Sequence, residues 1–171
     1  WILFHPQPSA KLFLSQGPSD NSGQLRIYDK EGETRSYLGD GYIQSYNQFG
    51  ERTIFLGTGT SGGGYLRTYN FNGQESVYIG TGADSSGQLR IYDVTGETGT
   101  FLGSGYLRTY NQFGKMTTYI GNGKDGGGYL RTNNKFETET TFLGTNNANE
   151  GLINLNDKFG QSFWLRLNKK N

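Results

Sequence analysis

The side chains that could do acid–base or metal chemistry are few and scattered. Histidine occurs once, His5, beside Pro6. A lone imidazole can act as a general base, but here it falls in an atypical N-terminal stretch where packing is the expected role. Glu31, Glu33 and Glu97 sit close to turn sequences. A pair of carboxylates is what glycoside hydrolysis needs, yet these recur with the turns, where solvation and pairing with arginine explain them. Asp40, Asp84 and Asp125 lie in glycine-rich stretches and could meet a Ca²⁺ together with backbone carbonyls. The nine-residue spacing with a fixed Asp that marks calcium-binding β-rolls is absent. Gly57–Gly63 and Gly121–Gly126 could cradle an anion through backbone N–H groups. They lack the Gly-Lys-Ser/Thr ending and the following helix of a phosphate loop. We therefore assign no catalytic, metal or cofactor residue and expect a protein that is not an enzyme.

Tyrosine, arginine and glycine recur instead. A framing glycine returns at Gly23, Gly41, Gly64, Gly87, Gly105, Gly128 and Gly151, with intervals of 18, 23, 23, 18, 23 and 23 residues. The true period is a block of 64 residues holding three units, and the blocks 23–86 and 87–150 agree at about half their positions without a gap. After each framing glycine come Tyr or Gln, an aliphatic residue and usually Arg (Arg26, Arg67, Arg90, Arg108, Arg131). A tyrosine follows two positions later, as Tyr28, Tyr46, Tyr69, Tyr92 and Tyr110. Stacked repeats would align these five into a ladder. Such a ladder could be a platform for sugar rings or packing between repeats and chains, and its recurrence in every unit favours packing.

Two short segments rich in Tyr, Thr, Phe, Leu and Ile flank an Asn/Asp-x-x-Gly turn in each unit, the pattern of a β-hairpin. The Asn or Asp side chain can bond the turn amides, and the glycine (Gly32, Gly50, Gly73, Gly96, Gly114, Gly160) supplies the positive φ of a type I turn with a G1 bulge. Along the first strand the aliphatic residue points to one face, and the series Tyr65, Arg67, Tyr69 to the other. Phe49, Phe113, Phe136 and Phe159 stand at the hairpin tips, although Glu137 replaces the glycine after Phe136. Exposed phenylalanines at successive tips are expected to touch neighbouring units or chains, unless each folds back on its own hairpin.

We expect an all-β tandem array of about eight hairpins: an atypical capping hairpin in 1–22, two three-hairpin blocks in 23–150, and an atypical C-terminal hairpin and tail in 151–171, all one repeat domain. Within a block one connection is minimal (Gly39-Asp40-Gly41, Gly103-Ser104-Gly105) and two are longer and glycine-rich. That inequality points to a β-solenoid or three-sided β-helix-like rod, made by one chain or by three. A continuous antiparallel meander is the alternative.

Composition fits a thin structure. Apolar residues make up 32% of the chain and aromatic residues 15%, so rings must supply much of the burial. A formal charge of +1 argues against nucleic acid as the main partner. No run approaches the ~20 apolar residues of a membrane-spanning helix, and cysteine is absent. Beginning at Trp1 rather than Met, the chain reads as processed or excised.

The phrase Gly-Tyr-Leu-Arg-Thr-Tyr-Asn-x-Phe-Gly, closing in aromatic-aliphatic-Gly, resembles the short β repeats of phage tail-fibre shafts and extracellular bacterial repeat proteins. The resemblance runs from residue 23 to about 166 and carries no catalytic or binding residue. It implies a structural, extracellular or virion-surface protein that assembles with itself as a trimer or filament. The alternative is a carbohydrate-binding module facing surface glycans.

Overall fold

The computed structural model describes residues 11–16, 23–60, 62–124, 126–146 and 148–167. The chain divides into two compact units, 1–85 and 86–171, and the division falls where the two 64-residue blocks meet. Every regular element among the described residues is a β-strand. The first unit holds β1 (Lys11–Gln16), β2 (Gly23–Tyr28), β3 (Thr34–Gly39), β4 (Tyr42–Tyr46), β5 (Arg52–Thr58), β6 (Gly64–Tyr69) and β7 (Glu75–Thr81). The second holds β8 (Gly87–Tyr92), β9 (Thr98–Gly103), β10 (Tyr106–Tyr110), β11 (Met116–Asn122), β12 (Gly128–Asn133), β13 (Glu139–Thr145), β14 (Gly151–Asn156) and β15 (Ser162–Leu167).

Within each unit every strand pairs antiparallel with its sequence neighbours, in the order of the chain. Strands that are not neighbours do not touch, so each unit is a single layer. The meander is therefore the arrangement formed in each unit, and the three-hairpin solenoid turn is not.

The physical reason lies in the connections. At the tip Asn47–Glu51, the Asn47 amide donates to the Glu51 carbonyl at 2.9 Å and the Gly50 amide to the Asn47 carbonyl at 3.1 Å. The glycine-rich stretch Gly59–Gly63 has the same pair of bonds, Gly59 N to Gly63 O at 2.8 Å and Gly62 N to Gly59 O at 2.9 Å. What reads as a linker is a second kind of hairpin turn. The minimal connections are two-residue turns with both residues at positive φ, Asp40 at 50° with Gly41 at 78°, and Ser104 at 50° with Gly105 at 81°. Each of these connections thus returns the chain beside the strand it has just left.

The six expected turn glycines all have positive φ, from 69° to 90°, and Glu137 holds the equivalent position at 66°. The Asn or Asp that opens each tip works as expected: Asn111 Oδ1 accepts from the amides of Phe113 and Lys115 at 2.9 and 3.1 Å. Beyond the expected G1 bulge at the turn glycine, one residue of the return strand is left out of register after each tip, a second bulge that the sequence did not disclose. In four hairpins its hydroxyl bonds the hydroxyl facing it: Ser45 with Thr53, Thr68 with Ser76, Thr109 with Thr117 and Thr132 with Thr140. Of the N-terminal capping hairpin, β1 is described and its partner segment lies outside the described residues. The C-terminal hairpin is formed by β14 and β15.

Candidate functional site

Alternation along each strand sends its side chains to two faces of opposite chemistry. On the first, aromatic rings stack into a continuous ladder in each unit. In the first unit the rings are Tyr37, Tyr42, Phe55, Tyr65 and Tyr78, with centroids 5.0–5.8 Å apart. In the second they are Phe101, Tyr106, Tyr119, Tyr129 and Phe142, at 4.7–5.5 Å. Most pairs are near-parallel, the offset-stacked range in which aromatic pairs gain about 0.5–1.5 kcal/mol beyond burial.

The glycine that closes each aromatic-aliphatic-Gly phrase exists for this ladder. Tyr106 lies opposite Gly121, and a Cβ on Gly121 would stand 2.5 Å from the Tyr106 Cβ. A Cβ on Gly57 would meet the Tyr42 Cβ at 2.7 Å and the Phe55 ring at 2.8 Å. Gly57, Gly80, Gly121 and Gly144 are each the bare floor under a tyrosine of the paired strand, whereas Gly39 and Gly103 make room for the ring two residues before them, Tyr37 and Phe101.

Arginines lie among the rings. Arg67 sits 4.7 Å from the Tyr65 centroid and 5.6 Å from that of Tyr78, and Arg108 is 4.3 Å from Tyr106 and 5.6 Å from Tyr119. The Nε atoms of Arg67, Arg90, Arg108 and Arg131 are buried without a hydrogen-bond partner, and for Arg67 and Arg108 the aromatic contact is the compensation present. Arg67 also pairs with Glu75 at 2.5 Å.

Tyrosine hydroxyls tie the ladder down. Tyr78 donates to the Thr81 carbonyl and Tyr119 to the Asn122 carbonyl, each at 2.8 Å. Tyr37 donates to Asp40 Oδ2 at 2.6 Å, and this bond, with burial, holds its pKa far above the ordinary tyrosine value. Burial, reinforced by Tyr129, raises that of Tyr119 as well.

The five tyrosines expected to form the ladder do not stack on one another. Tyr28, Tyr46, Tyr69, Tyr92 and Tyr110 lie at the tip end, opposite Thr34, Arg52, Glu75, Thr98 and Met116. Within each unit two strand spacings, about 9.6 Å, separate successive members, beyond the ~7 Å reach of a ring pair. Arg52 instead bridges one of them, 5.5 Å from the Tyr69 centroid and 5.6 Å from that of Phe55.

The other face carries an aliphatic row that runs straight across the strands. In the first unit Leu14, Leu25, Leu38, Ile43, Leu56, Leu66 and Ile79 stand directly opposite one another in register. In the second the row is Leu89, Leu102, Leu107, Ile120, Leu130, Leu143 and Ile153. Beside it in the second unit lies a run of hydroxyls, Thr100, Thr109, Thr118, Thr132 and Thr141. No residue paired in register on this face, from β1 to β7 or from β8 to β14, is charged. Eight members of the two rows are 43–56% exposed.

The tip phenylalanines stand free of their own hairpins. Phe49, Phe113, Phe136 and Phe159, joined by Phe71, are 69–82% exposed, with the Lys135 and Lys158 ammonium groups about 5 Å from the rings of Phe136 and Phe159. The carboxylates weighed for chemistry are dispersed: Glu31 pairs with Lys30, and the Glu33 and Glu97 amides serve the Asp29 and Asp93 turns. Among the described residues no three His, Cys, Asp or Glu side chains gather where they could hold a metal. His5 and Asp125 lie outside the described residues. The sequence matches no protein-family model and no curated protein.

Proposed function

We propose that this chain is a non-catalytic structural repeat protein, the shaft or subunit of an extracellular fibre, filament or phage tail appendage that forms by self-association. The observation that carries the reading is how little each unit buries. Of the described side chains only Tyr37, Gln44 and Tyr119 fall below a tenth exposed. A single layer with an uncharged aliphatic face gains most of its missing burial from another copy. The ring ladder, the backbone ladder and the identical turns give a stiff element that repeats by addition of hairpins.

The carbohydrate-binding alternative loses support at the rings. Sugar platforms need open aromatic faces, and here the stacked faces are taken up by neighbouring rings and guanidinium groups. Light scattering with negative-stain microscopy of the full chain tests the proposal. Trimers or filaments are expected. A compact 19.0 kDa monomer at every concentration would contradict it.

A further inference from the structure

We infer that the aliphatic face is the surface by which one copy binds a second, face to face, while the ring face stays outside. The inference rests on the self-association reading above and names the surface that would do it. Three observations carry it.

The first is size. A seven-strand face, at about 4.8 Å per strand and 3.3 Å per residue over six residues, covers on the order of 650 Å². A standard stable interface buries about 800 Å² per partner, so one unit's face is close to sufficient. The second is charge. From β1 to β14 the charged strand residues paired in register, among them Arg67, Glu75, Arg108 and Glu139, stand on the ring face, and Arg166 of β15, opposite Ile153 at the end of the second row, is the exception. Over the paired positions of β1 to β14 two aliphatic faces can therefore meet without burying an ion, whereas two ring faces would press guanidinium rows together. The third is self-complementarity. The row is straight, one residue wide on each strand and repeated in both units, as Leu56 and Ile120 exemplify. Leucine and isoleucine rows on facing sheets interdigitate at the ~10 Å separation of a β-sandwich.

The test compares paired substitutions in the full chain, one per unit, by sedimentation velocity. Leu56→Glu with Ile120→Glu should reduce the assembled species to monomer while far-UV dichroism is kept. Phe49→Glu with Phe113→Glu, at the tips, should leave the assembled mass unchanged. If the first pair keeps the wild-type mass, the inference falls and self-association by tips or edges remains. A wild-type chain that is monomeric throughout removes both. Should the glutamate pair fail to fold, single cysteines decide, because the chain has none of its own. With a short bis-maleimide, Leu56→Cys should give covalent dimers and Arg67→Cys should not; the reverse pattern overturns the inference.

Discussion

The two faces of each unit are built from alternate residues of the same strands and differ in what they have left to offer. On the ring face, Tyr106 covers Gly121, Arg108 lies against Tyr106, and Tyr119 bonds the Asn122 carbonyl. Its rings find partners within the unit, although four arginine Nε atoms there are buried without a hydrogen bond. On the aliphatic face, Leu102, Ile120 and Leu143 stand in one row, with Leu107 and Leu130 between them, and remain close to half exposed. One face stabilises the hairpins, and the other has surplus apolar surface that folding of the unit does not use.

Adjacent residues give the sharpest way to separate these roles. Gly121→Val should cost about 3 kcal/mol in a urea titration, because the new side chain meets the Tyr106 backbone and Cβ. Ile120→Thr, its neighbour on the other face, should change folding by under about 1 kcal/mol and yet weaken assembly. Equal folding losses would erase the distinction between the faces.

Turn variants act on both faces alike and should rank next. Gly114 has a φ of 69° and open space around it, so Gly114→Val is strained by its backbone alone, by about 1–2 kcal/mol. Asn111→Ala removes an acceptor of two turn amides and should cost about 1 kcal/mol in the same titration.

The smallest expected effect is electrostatic and confined to the tips. The Lys115 ammonium, 3.1 Å away, and the Met116 amide lower the Glu137 pKa from its ordinary 4.5. Because the folded value is the lower one, its contribution is present above pH 4.5 and is lost as pH falls through the folded pKa. Glu137→Gln should flatten that part of the acid stability profile. A profile unchanged by the substitution would show the pair to be idle.

The hairpins, their turn glycines and the division between aliphatic and Tyr-Arg-Tyr faces were legible in the sequence, because they depend on period-two alternation and turn chemistry. The ladder was misplaced for a physical reason. Tyr28 and its equivalents recur most visibly, but each faces a non-aromatic partner, so within a unit successive rings stand two strands apart. The rings that stack, such as Tyr65 between Phe55 and Tyr78, alternate between first and return strands, and only the register brings them together. The glycine-rich stretches misled in the same way. Gly59–Gly63 looks like a linker by composition and is a turn by its hydrogen bonds.

Carbene footprinting of the full chain across a concentration series tests the difference between the faces most directly. We expect Leu38, Leu56, Leu102 and Ile120 to label in dilute solution and to become protected as the chain assembles, while the tip residues Phe49 and Phe71 label throughout. Labelling of the aliphatic row that does not change with concentration would contradict the assignment of that face to assembly.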